Sequence, residues 1–310
     1  MLAELPPIDP ELRIGSVELA VSDLSRSTDF YERVLGLPLI SRGADGALLG
    51  PDRERPLLAL TQLTNPTPTP PGSTGLFHVA WLHPSRAALA ETVRRVVASR
   101  WPFDGAADHG VSEALYLSDP DGLGIEIYVD RPRELWDRPP DGHGVKMVTL
   151  ALDIDDLLAQ SEGEPSAAIE PGTHIGHVHL KVSDVPRAVA FYRDVLGLDE
   201  QARLPSASFL SAGGYHHHIG VNSWQSLGGR AAPDSAPGLR QVELELSDAA
   251  ALQALERRLA EFGVKAGGDS TPVATPEPES ELEPESESDK RLSLRDPDGH
   301  ALTLRSLESR

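Results

Sequence analysis

A chain of 310 residues with 39% hydrophobic side chains can bury a sizeable core, and its length suggests about two domains. No run of roughly eighteen apolar residues occurs, and the opening MLAELPPIDPELRIG has neither the basic nor the apolar region of a signal peptide, so the protein is expected to be soluble and cytoplasmic. The formal charge of −20 opposes binding to nucleic acid or an anionic membrane, and the absence of cysteine excludes disulfides and thiolate ligands, which leaves 11 histidines as the main metal candidates.

In chain order, Ile14 to Leu37 begins with alternating Val and Leu, which predicts a strand. Asp23 can then cap a helix that Gly36 ends. A proline-rich break from Asn65 leads to a second unit at Gly75, where GLFHVAWL predicts a strand carrying His78. That unit closes with DHGVSEALYLSDPDGLGIEIY, two apolar runs joined by Asp119-Pro120-Asp121-Gly122, a strong turn signal. Residues 131–173 hold prolines, acidic residues and a short helical stretch near IDDLLAQ, and look like a connecting arm. Ile175 to Leu198 then repeats Ile14 to Leu37 without a gap and with more than half of its positions identical, including a capping Asp184 and a terminating Gly197. A fourth unit from Gly238 resembles the second and has its own turn at Asp296 to Gly299. The Glu/Pro/Ser tract from Pro276 to Asp289 reads as part of a disordered acidic insertion at about 268–290.

The expected fold is therefore α+β: four βαβββ units at approximately 13–64, 75–130, 174–225 and 238–308. They form two tandem halves, 1–130 and 174–310, joined by the arm.

Glu126 lies between Ile125 and Ile127, and an inward carboxylate there would be costly without a cation or partner. His78 alone would be read as a hydrogen-bonded core histidine. Read together, His78, Glu126 and His177 suggest two imidazoles and a carboxylate sharing one metal and leaving coordination positions open, a set that favours non-haem Fe(II). Tyr116 and His109 stand upstream of Glu126 as supporting groups, although Tyr116 also fits a core aromatic and His109 a turn cap. A structural reading is preferred for His83, His143, His174, His179 and His300, with His179 the substitute ligand because it shares a strand face with His177.

The strand, SD-helix-FYxxVLG and DPDG-strand pattern resembles the vicinal oxygen chelate superfamily across almost the whole chain. Within it, HGVSEALYLSDPDGLGIEIY and GGYHHHIGVNSW resemble the bacterial catechol 2,3-dioxygenase branch. The resemblance implies paired modules whose curved sheets close into cups, with ligands in the first and last strands of a module. It implies an extradiol enzyme using Fe(II), with Mn(II) suited to the same ligands, to open an aromatic diol with O2 to a muconic semialdehyde-type product. It also implies acid/base chemistry by His218, the last imidazole before an apolar strand, while a register shift of one would move that role to His217. Tyr116 matches a tyrosine that touches a catechol oxygen, and His109 a histidine that supports it or contacts substrate.

The ligand places of units one and four hold Ser16, Gln241 and Thr303. Sequential pairing would therefore split the ligands between cups, whereas pairing unit two with three, and one with four, reunites His78, Glu126 and His177. A subunit-swapped homo-oligomer would satisfy the same ligands. The rival readings are a glyoxalase-type metal-dependent lyase or isomerase, which lacks its second carboxylate here, and a non-enzymatic small-molecule-binding resistance protein.

Overall fold

The computed structural model describes residues 6–264, 267 and 290–307; most of the acidic insertion expected at 268–290 lies outside them. Unit one comprises β1 (Arg13–Val21), α1 (Leu24–Arg33), β2 (Leu39–Arg42), β3 (Gly46–Leu49) and β4 (Leu58–Gln62). Unit two comprises β5 (Gly75–Leu82), α2 (Arg86–Ala98), β6 (Gly105–Asp108), β7 (Ser112–Ser118) and β8 (Gly124–Asp130). The arm contains a 3-10 turn at Arg133–Leu135 and a short α-helix, α3 (Ile154–Leu158). Unit three follows as β9 (His174–Lys181), α4 (Val185–Ala190), β10 (Asp199–Leu204), β11 (Ala207–Ser211) and β12 (Ile219–Asn222). Unit four supplies β13 (Gly238–Leu246), α5 (Ala249–Glu261), β14 (Arg291–Arg295) and β15 (Ala301–Ser306).

The units pair crosswise. One curved sheet runs β10-β11-β12-β9-β5-β8-β7-β6 and so combines units two and three, while the other runs β14-β15-β13-β1-β4-β3-β2 and combines units one and four. At the centre of each, the first strands of the two units lie antiparallel: β5 against β9, with Ala80 opposite His177, and β1 against β13, with Glu18 opposite Gln241.

Sequential units remain locked to one another through the repeated motifs. Asp23 and Asp184 cap α1 and α4 as expected, accepting from the backbone N–H of Arg26 and Arg187. The buried tyrosine of each FY pair then reaches the turn of the next unit: the Tyr31 hydroxyl donates to Asp119 (3.2 Å) and the Tyr192 hydroxyl to Asp296 (3.0 Å). Each of these aspartates also accepts two backbone N–H bonds from its own turn, from Asp121 and Leu123 in one and from Asp298 and His300 in the other. Arg26 and Arg187 grip the second aspartate of the same turns, Asp121 at 2.5 Å and Asp298 at 3.1 Å. The SD…R…FY and DPDG signatures are thus two halves of one joint, used once per half of the chain. Sheet pairing between halves and joints within halves build one continuous apolar core from Ile8 to Leu304.

Candidate metal centre

In a strand, alternate residues share a face, so His177 and His179 on β9 point the same way. Register places Ala80 opposite His177 on β9 and beside Glu126 on β8, and His78 opposite His179 and beside Gly124. The three imidazoles and the carboxylate consequently rise from one face at the centre of the eight-stranded sheet. Small neighbours make room for them. A Cβ at Gly124 would fall 2.0 Å from the Phe77 carbonyl and 3.1 Å from the His78 Cβ, and one at Gly220 would fall 2.9 Å from the His179 ring.

Glu126 Oε2 lies 3.0 Å from His78 Nε2 and 3.2 Å from His177 Nε2, and all three side chains are buried. An ion with bonds of about 2.1 Å and ligands at right angles holds neighbouring donor atoms about 3 Å apart. The three side chains therefore fit a single ion on one coordination face. Burial pushes the Glu126 carboxyl up, but His177 and His78 outweigh it and hold the group well below the usual carboxylate range. Burial pushes His177 down, opposed by Glu126, which favours the neutral imidazole a metal needs. His179 Nε2 is buried without a hydrogen-bond partner, and His78 Nε2 meets the Glu126 carboxylate, so both nitrogens are placed to face an ion or ligand.

Tyr116 pairs with Glu126 across β7 and β8, and burial together with that carboxylate pushes its phenol well up. Its hydroxyl is 2.7 Å from His109 Nε2, while His109 Nδ1 lies 2.8 Å from the Val148 carbonyl. Because a carbonyl only accepts, Nδ1 carries the proton and Nε2 accepts from Tyr116. These residues, His179 and His217 line a cavity of about 1090 Å³ above Glu126 and His78.

The structure places His218 and His217 in different surroundings. Residues 215–218 precede β12 and do not continue its extended geometry, because Gly213 and Gly214 turn the chain with φ of +60° and +65°. Strand alternation therefore does not apply. His218 Nδ1 accepts from the Ala212 N–H (3.2 Å), and its ring packs 5.0 Å from Tyr215 beside a separate recess with Asp130 and Arg133. His217 instead enters the cavity, with its ring centroid 3.9 Å from that of His177. Burial, then His177, His216 and His179, hold it well below the ordinary histidine range, so it meets a ligand as a neutral base.

Two more histidines lie at the centre: His179, named from sequence only as a substitute ligand, and His216, assigned no role there. His179 lies with its ring 5.0 Å from that of His78. His216 is fully buried between Trp136, Tyr128 and His177, and with His177 and His217 forms a second group whose ligand atoms lie within 4.8 Å of one another. Among the described residues, both groups able to hold a metal belong to the eight-stranded sheet. Ser16 and Gln241 face the other cup, where Arg305 is 3.0 Å from Glu243 and 2.6 Å from Glu245, and Arg55 is 2.7 Å from Glu245. The arm also does more than connect: Val145 N–H donates to the Gln201 carbonyl, and residues 139–149 supply part of the cavity wall.

Crosswise-paired βαβββ units enclosing a buried two-histidine, one-carboxylate cluster define a protein built to present a metal ion at the floor of a cup. The chain belongs to the Glyoxalase/Bleomycin resistance protein/Dioxygenase superfamily, whose sequence profile matches residues 13–127 and 174–304. A catechol-2,3-dioxygenase of Bacillus subtilis (strain 168) is 41% identical over 259 residues, covering 83% of this chain and 90% of the relative. Solved structures share the fold at lower identity. Glyoxalase I from Zea mays superposes with a TM-score of 0.54 at 17% identity, over 95% of this chain and 92% of that one. The cppA protein from Streptococcus pneumoniae TIGR4 gives 0.52 at 11% identity, over 95% and 99%. Among the described residues no helix is long and apolar enough to cross a membrane.

Proposed function

We propose that this chain is an extradiol dioxygenase that holds Fe(II) through His78, Glu126 and His177 and opens a catechol-type diol with O2 to a muconic semialdehyde-type product. The observation that carries this reading is the buried triad, whose His78 and Glu126 line a large open cavity, in a chain 41% identical to a catechol-2,3-dioxygenase. Bound Fe(II) would supply open positions for both hydroxyls of the diol and for O2, and would carry electron density between them. Mn(II) suits the same nitrogen and oxygen donors.

The chain's own contribution is orientation and proton movement. The Tyr116 hydroxyl, committed as a donor to His109, turns its lone pairs towards the cavity and can accept a diol proton as its own moves to His109 Nε2. His217, neutral and stacked on His177, can take the other proton and return it during ring opening.

A glyoxalase-type lyase needs a second carboxylate at the ion. The nearest further candidate lining this cavity, Glu200, is instead forked by Arg203 and bonded by Ser208. A passive binding protein would leave the unpartnered His179 Nε2 in its pocket without compensation. A cysteine-free chain dependent on ferrous iron suits the reducing cytoplasm, where we place it. The test is anaerobic reconstitution with Fe(II) followed by oxygen uptake on a small catechol panel. Ring-opened product from the wild type and none from His177→Ala supports the proposal, and metal-dependent turnover of a non-aromatic substrate alone overturns it.

A further inference from the structure

The cavity is larger than an unsubstituted catechol requires. Its volume of about 1090 Å³ slightly exceeds the range of sites for drug-sized ligands, about 300–1,000 Å³. The register of β6 and β7 accounts for part of this space. Gly105 lies directly opposite Tyr116, and cross-strand partners project to the same face. Tyr116 reaches into the cup, so the missing side chain of Gly105 leaves the volume beside it open: a Cβ there would meet no atom within 4 Å. Ala107, two residues along the same face, keeps that wall low.

Another part of the lining is aromatic. Phe77 packs edge-on against Trp224 with centroids 5.2 Å apart, and Trp224, which lines the cavity, stays 49% exposed.

Charge points the same way. The cations lining the cavity are Lys146, 62% exposed and 3.8 Å from Asp137, and Arg203, 60% exposed and forked onto Glu200. A carboxylate substituent would enter an apolar space without a buried cation to compensate its desolvation.

We propose that the substrate is an uncharged catechol carrying a bulky apolar substituent, aryl or branched alkyl, and that Gly105 sets the size admitted. This inference rests on the extradiol reading above and names its substrate class. The diol end meets the ion, Tyr116 and His217, while the substituent fills the space bounded by Gly105 and Ala107 on one wall and by Phe77 and Trp224 on another. Filling an apolar pocket by one methyl-sized group changes discrimination by about 10–200-fold, so an aromatic ring at position 105 has a large effect.

The test uses the full chain loaded with Fe(II) and four probes: catechol, 4-tert-butylcatechol, 2,3-dihydroxybiphenyl and 3,4-dihydroxybenzoate. Equilibrium binding is measured anaerobically, and kcat/KM is measured with O2. The wild type is expected to favour at least one of the two apolar catechols over catechol by about tenfold or more, mainly through KM, and to disfavour the carboxylate by a similar factor. Gly105→Phe should lower the ratio of apolar-catechol to catechol efficiency by at least about tenfold, and Trp224→Ala should lower it by a smaller factor. A preference for catechol or the carboxylate, or a ratio unmoved by both substitutions, overturns the proposal. If no probe is cleaved, the binding order decides. Tighter, Gly105-dependent binding of the apolar catechols upholds the pocket and removes only the dioxygenase reading, whereas equal binding of all four removes the pocket as well.

Discussion

Gly176, beside His177 on β9, offers a quantitative test of how the metal floor is held. An added Cβ would stand 1.8 Å from the Tyr128 hydroxyl oxygen, 2.8 Å from its ring Cζ and 3.1 Å from the Leu82 Cβ. Tyr128 is fully buried, its ring is 4.9 Å from that of His177, and its hydroxyl is 2.8 Å from the Tyr215 hydroxyl. In Gly176→Ala the phenol must therefore move or the two central strands must part. Overpacking of a core costs about 1–3 kcal/mol, and a buried hydroxyl left unpaired costs about as much again. A loss of about 2–6 kcal/mol is expected, read as a drop of several degrees in the melting temperature by circular dichroism. Metal affinity by anaerobic calorimetry should fall with it, because the displaced ring presses on a ligand. Tyr128→Phe removes the closer contact but leaves Cζ in place, so the double variant should recover part of the loss and give a coupling energy of about 1 kcal/mol or more. A Gly176→Ala protein with unchanged melting and metal affinity, or purely additive losses in the pair, would refute this packing argument.

Exchange of the two neighbouring histidines tests the acid/base assignment: His217→Ala should slow kcat by about 100-fold or more while retaining metal, whereas His218→Ala, facing Tyr215, should affect mainly stability. The reverse pattern in steady-state kinetics would return the role to His218. His83 makes a pH test. Burial holds it down to about 4 against an ordinary value of 6.5, and its nitrogens meet the Trp81 and Tyr128 carbonyls and the Thr92 hydroxyl. With the folded value depressed, its contribution is complete above pH 6.5 and is lost as pH falls towards 4, on the order of 3 kcal/mol in all. Asp130, raised to about 7 by burial, and Asp119, raised to about 6, act in the opposite sense, so the measurement is the difference in denaturation slope between wild type and His83→Gln. Equal slopes between pH 7 and 4 would count against it. Chelation should lower the melting temperature, and Fe(II) at a hundredfold excess over Kd should restore about 2.7 kcal/mol to the wild type but much less to Glu126→Gln.

The architecture was legible because duplication made it so. Once Ile14–Leu37 and Ile175–Leu198 were aligned, the empty ligand places at Ser16, Gln241 and Thr303 called for crosswise pairing, and the strand order has that form. The DPDG turns were equally plain, since glycine and aspartate there serve backbone needs that composition displays. The histidine run was harder. Alternation predicts facing only inside a strand, and the paired glycines at 213 and 214 place 215–218 outside one. His179 shared a face with His177 on paper, but whether its Nε2 found a partner depended on atoms distant in sequence. The arm had no periodicity to announce that residues 139–149 would wall the cavity. The Arg55–Glu245 ion pair in the second cup was hidden for a similar reason, because those residues meet only after units one and four pair.

The most direct measurement is a single-turnover reaction of the Fe(II)-loaded protein with an apolar catechol under ¹⁸O₂, with the product analysed by mass spectrometry. Extradiol cleavage by the His78, Glu126 and His177 centre predicts a ring-opened semialdehyde acid carrying both labelled oxygens before exchange with water, and no such product from His78→Ala, Glu126→Ala or His177→Ala. An unlabelled product, or a labelled one formed equally well by those three variants, would contradict it.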